Sequence, residues 1–145
     1  MIMLWIAAAV QIAAPQVPAV MDWRAVPVAA GVWSWRPIAG GSEAVFQSSL
    51  GVELTLRCNR TARTVSVIRS GAAASLPLTV RTTNLERTLA LGGTLPASDR
   101  MFDSIAFSRG RFAVEGGGRP RLVIPAWPEA ARTIEDCRYS LNYKT

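Results

Sequence analysis

The fold turns on the stretch Val52-Glu53-Leu54-Thr55-Leu56-Arg57-Cys58. Its apolar residues fall on every second position, with Glu53, Thr55 and Arg57 between them. Side chains of an extended strand point to alternate faces. A period of two therefore puts Val52, Leu54, Leu56 and Cys58 on a buried face and the polar three on an open one. Residues 59–62 form a polar turn. Residues 63–69 follow, rich in the β-branched Thr64, Val65, Val67 and Ile68, so the two runs pair as a hairpin.

Upstream, Gly31-Val32-Trp33-Ser34-Trp35-Arg36 has strand character and is expected to end at Pro37. A turn at Gly40-Gly41 leads to a weaker strand over residues 44–48. Downstream, Leu76, Leu78 and Val80 alternate with Thr79 and Arg81, and Leu85, Leu89 and Leu91 come before Gly92-Gly93. The period changes at Ser98, an expected helix cap followed by Asp99 and Asp103 in the first turn. Phe102, Ile105 and Ala106 share a face of this helix, which should stop near Gly110. Residues 111–115 and 121–124 are two short strands around Gly116-Gly117-Gly118. Pro128 suits a first helical position. From Glu129 to Arg138, Ala130, Ile134 and Cys137 share one face, and Glu129/Arg132, Arg132/Asp136 and Glu135/Arg138 have ion-pair spacing. About eight short strands followed by two helices late in the chain define an α+β fold. It is predominantly antiparallel β, as a sandwich or curled sheet.

The chain has 145 residues, enough for one domain, and 50% are hydrophobic. It contains no His. That excludes a Ser-His-Asp triad, a Cys-His pair and any imidazole-bound zinc, and two Cys cannot build a four-thiolate site. No metal site, cofactor or catalytic residue is expected. A Ser-Lys dyad finds no support, because the sole lysine, Lys144, lies next to the last residue. Glu135 and Asp136 are about 100° apart on a helix and do not converge as an acid/base pair.

Residues 1–14, MIMLWIAAAVQIAA, are uncharged, apolar and short for a bilayer span. They read as the hydrophobic region of a secretory signal peptide covering residues 1–19. Val17-Pro18-Ala19 supplies the cleavage site, and a single domain occupies residues 20–145. No other apolar run is long enough to span a membrane. A periplasmic or secreted location follows from that reading. The competing reading makes the same residues a buried N-terminal element of a cytoplasmic protein. Cys58 and Cys137 both fall on apolar faces that point at one core. In an oxidising compartment they are expected to pair; in a reducing one they would be two buried thiols.

The net charge is +6, carried by 15 Arg and one Lys against ten carboxylates. A basic balance favours an acidic partner. The Arg residues are spread over many strands (Arg57, Arg60, Arg63, Arg69, Arg81, Arg87 and onward) rather than gathered in one stripe, so nucleic acid is not expected. The densest basic region is Arg109, Arg111, Arg119 and Arg121, around one turn and the triple-glycine tip. It is either an anion- or partner-binding patch or an ordinary hairpin with solvated arginines. If its strands pair, Arg111 and Arg121 would face each other and require an anion or a carboxylate such as Glu115. Trp33 and Trp35, two residues apart, are either a stacking platform or core. Asn59-Arg60-Thr61 matches the N-glycosylation triplet, which matters only in a eukaryotic secretory pathway.

The sequence Leu54-Thr55-Leu56-Arg57-Cys58, a second basic strand, a middle hairpin, a short helix and the closing Ile134-Glu135-Asp136-Cys137 have an order that resembles known exported domains. It is similar to small periplasmic domains of the invasion-associated locus B type and to an accessory domain of type VI secretion systems. The resemblance spans about residues 50–138. It implies export and does not imply catalysis, so there are no active-site residues to transfer. The expected function is a small secreted or periplasmic disulfide-stabilised domain that binds a protein or an anionic cell-envelope component. The alternatives are a hydrolase or hydrolase inhibitor acting on peptidoglycan, and a structural envelope protein.

Overall fold

A computed structural model gives the fold and describes residues 21–90 and 92–139. The signal peptide read at residues 1–19 lies outside the described residues. Nine strands and two helices are present among the described residues. They run β1 Val32–Ile38, β2 Gly41–Ser48, β3 Gly51–Asn59, β4 Thr64–Arg69, β5 Leu78–Arg81, β6 Glu86–Leu89, β7 Thr94–Pro96, α1 Arg100–Ala106, β8 Arg111–Gly116, β9 Arg119–Pro125 and α2 Pro128–Arg138. One sheet has the order β1-β2-β3-β4-β7 and the other β6-β5-β8-β9. Every pairing is antiparallel. The fold is thus α+β with two antiparallel sheets and both helices in the C-terminal half, as the alternation and the late change of period implied.

The core lies between the sheets. Phe46, Leu54, Leu56, Val65 and Val67 come from the first sheet; Val80, Phe112, Val114, Leu122 and Ile124 come from the second. Met101, Phe102 and Ile105 of α1, and Ala130, Ile134 and Cys137 of α2, complete the same cluster. The outer face of the second sheet is covered by residues 21–30. Trp23, only 7% exposed, packs with Ala113 and Val123, flanked by Val26 and Val28. The Ala29 N–H donates to the Val123 carbonyl at 2.8 Å.

Several local readings change. Val52 is exposed and Glu53 is buried, because Phe46 pairs with Leu54 while Gln47 pairs with Val52. Glu53 is the extra residue of a β-bulge, and a bulge reverses the faces beyond it. β1 continues through Pro37 because it is an edge strand, where a missing N–H need not break the ladder. β7 is only three residues long and ends in Pro96, too short to register as a period. Asp99, not Ser98, caps α1, accepting from the Met101 N–H at 2.9 Å. The helix ends at Ala106 rather than near Gly110. The turn before β2 is Ala39-Gly40, and Gly41 opens the strand. A Cβ on Gly41 would lie 1.9 Å from the Cys58 carbonyl oxygen, so only glycine allows this close approach of β2 to β3.

Candidate binding surface

Cys58 on β3 and Cys137 on α2 form a disulfide, with Cα atoms 5.5 Å apart. Both residues are buried, at 1% and 2% exposure. The bond ties the last helix to the centre of the first sheet. Its sulfurs face the core and offer no surface for exchange chemistry.

The four arginines of the β8–β9 region do not form one patch. Arg111 pairs in register with Pro125, and Arg119 with Gly116, so they occupy opposite ends of the hairpin, about 17 Å apart at strand rise. Arg111 Nη1 donates to the Val26 carbonyl at 2.6 Å, and Arg121 Nη1 to the Met21 carbonyl at 2.7 Å. These two arginines fasten the N-terminal segment. Arg121 and Arg111 are not opposed across the hairpin; Arg121 pairs with Glu115, which Arg81 shares. Arg119 stands over the turn at Gly71, and Arg109 is exposed at the turn after α1. A cleft of about 440 Å³ opens between the N-terminal segment and residues 81–86. Its charged side chains are already matched: Arg24 with Asp22, Arg81 with Glu86 and Arg121 with Glu115.

The tryptophans do not form an open platform. Trp33 is 5% exposed, lies against Phe46 and Phe112, and donates from Nε1 to the Pro125 carbonyl at 2.7 Å. Trp35 is half-buried beneath α2. The Arg132 guanidinium sits 3.4 Å from its ring centroid, and its Nε1 donates to Asp136 Oδ2 at 3.0 Å. That contact takes Arg132 and Asp136 out of the intrahelical pairs their spacing suggested. Among the three helix-spaced pairs, Glu135 with Arg138 is present, at 3.4 Å.

Eight of the ten carboxylates are in ion pairs with arginine. Glu53 and Arg69 form a buried pair at 2.7 Å. The bonds from Arg69 and Ser48 hold the Glu53 carboxyl below the usual carboxylate range. For Glu43, burial alone would push the carboxyl up, but the bonds from Arg36 and Arg57 outweigh it and the net shift is downward. Asp99 behaves the same way: burial is offset by the Met101 N–H and Arg87. All three are ionised structural anchors. They are not acids poised to give up a proton near neutral pH.

Four arginines lie at one end of the first sheet. Arg36 lies near the β1–β2 turn, and Arg57, Arg60 and Arg63 lie on or beside the β3–β4 turn; all four are exposed. The two turns touch, since the Arg60 N–H donates to the Gly40 carbonyl at 2.9 Å. Arg60 Nε donates to the Asp136 carbonyl of α2 at 3.4 Å, while Arg132 lies on the opposite face of the sheet from Arg36 and Arg57, over Trp35. Glu43 takes Arg36 and Arg57 on the outer face of the sheet, and Asp136 lies on the inner face with α2; Arg60 and Arg63 have no carboxylate within ion-pair distance among the described residues. Glu43 is 2% exposed between Arg36 and Arg57. Asp136 accepts from Ser42 Oγ at 2.7 Å and from Trp35. The sequence signal for this site was three arginines within seven residues around an acid-free turn. It reads as a spread of solvated side chains until the first and third loops are brought together.

Comparison with protein-family models, curated proteins and solved structures gave no match for this chain.

Proposed function

We propose that the protein is a small exported domain, locked by Cys58–Cys137, that acts by binding an anionic protein or cell-envelope component rather than by catalysis. The observation that carries this reading is a group of four exposed arginines, Arg36, Arg57, Arg60 and Arg63, at one end of the first sheet, with the buried Glu43 as the carboxylate paired to them among the described residues. Such a surface raises the local concentration of anionic partners and steers their approach. The pairing of eight carboxylates with arginine leaves little for acid/base work, which weighs against the peptidoglycan hydrolase. The disulfide supports an oxidising compartment. Among the described residues no helix is long and apolar enough to cross a membrane. The resemblance of the sequence order to locus B-type domains implies export as well.

The test is to express the full chain with its own N-terminus in a bacterial host and fractionate the cells. The expected product begins at Val20, has both cysteines oxidised, and is held by envelope membranes at low salt and released as salt rises. A cytoplasmic product that begins at Met1 and carries two free thiols would contradict the reading. Retention that ignores salt would contradict it too.

A further inference from the structure

We propose that the end bearing Arg36, Arg57, Arg60 and Arg63 docks on an anionic lipid surface, engaging its phosphate headgroups. The inference rests on the anion-binding reading above and names its ligand. The four cations come from two separate places: the end of β1 and the end of β3 with the β3–β4 turn. They are held at one end by the Arg60–Gly40 contact between the two turns and by Glu43 between Arg36 and Arg57. Arranged this way they radiate from an end of the molecule and do not close around a single group. A planar array of phosphates matches that layout better than one small anion does. Guanidinium is suited to such oxygens because it offers a planar fork of donors.

Two other polyanions fit less well. Single-stranded nucleic acid needs aromatic faces on which bases stack, but Trp33 is in the core and Trp35 is already covered by Arg132. An acidic protein needs a desolvated apolar centre. Among the described residues the exposed aromatic at this end is Tyr139, 70% exposed just beyond Arg138. A tyrosine beside arginines is the combination that sits at headgroup level on membranes. Arg63 adds a second mark. Its φ is +54°, in the left-handed region that favours glycine, so the chain holds a cation at the end of the turn, directly before β4, against a backbone preference.

The test is flotation of the protein with vesicles of phosphatidylglycerol or of phosphatidylcholine. The parent should bind the former at low salt, release as salt rises, and leave the latter unbound. Arg57→Gln/Arg60→Gln/Arg63→Gln should bind phosphatidylglycerol roughly 100-fold more weakly, from about five-fold for each cation near an anionic surface. Arg63→Gly alone, at a position where glycine fits the backbone, should lose about five-fold with the fold intact. Equal binding to phosphatidylcholine, or triple and single variants that bind like the parent, would overturn the proposal. So would soluble polyglutamate displacing the vesicles at matched charge, which would make the partner an acidic protein. If instead Arg109→Gln/Arg111→Gln/Arg119→Gln/Arg121→Gln abolishes binding and the triple variant does not, this site is wrong while anion binding stands. If the parent binds neither vesicle nor polyglutamate, the functional reading falls with it.

Discussion

Reducing the Cys58–Cys137 bond should lower the melting temperature by about 8–18 °C. The two residues are 79 apart in sequence. A crosslink closing a loop of that length removes chain entropy from the unfolded state worth about 4.5 kcal/mol at 25 °C, and measured values more often fall at about 2–4 kcal/mol. Unfolding entropy near 60 °C is about 2.1 cal/mol/K per residue, or roughly 0.25 kcal/mol/K for a domain of roughly 120 residues. The quotient gives the range above. The comparison should be made on the same chain, oxidised and reduced, so that no atoms are lost from the core. Both sulfurs are buried, so reduction has to be carried out in denaturant before refolding in reductant. Calorimetry reads the shift, and urea titration reads the free energy independently. Melting temperatures that agree within about 2 °C would refute the argument that the bond constrains the unfolded chain.

Other outcomes follow from the buried polar contacts. Arg69→Ala leaves Glu53 buried without its cation and should cost about 3–5 kcal/mol by urea denaturation, whereas Glu53→Gln with Arg69→Met together should cost less. Glu43, Glu53 and Asp99 have lowered folded values, so their stabilisation is complete above the ordinary carboxylate range. It is lost as pH falls through the lowered values, and the melting temperature should drop steeply below about pH 4. Arg63→Gly relieves a left-handed residue and should leave the melting temperature unchanged or raise it by about 1–3 °C. Gly41→Ala should lower it sharply, since the added Cβ meets the Cys58 carbonyl.

What the sequence disclosed was what rests on short-range period. Leu54, Leu56 and Cys58 alternate and face the core; Ala130, Ile134 and Cys137 recur with helical spacing and do the same. From those two faces the disulfide followed. The bulge at Glu53 escaped notice because one extra residue leaves the binary pattern of residues 52–58 unchanged while reversing Val52. The charged site was legible only as a count of arginines. Arg111 and Arg121 looked like the ends of a patch, and in the fold they hold backbone carbonyls of the N-terminal segment. Arg132 looked like an ion-pair partner on its own helix and stacks on Trp35, nearly a hundred positions away. Contacts of that separation depend on which strands become neighbours, and local periodicity carries no record of it.

The most direct test of the binding account is an amide chemical-shift titration of the isotope-labelled protein with short-chain phosphatidylglycerol at low salt. The account predicts shifts concentrated at residues 36–41, 57–63 and 136–139, reversed by added salt, with residues 109–121 little changed. Shifts confined to residues 109–121, or none at any site, would contradict it.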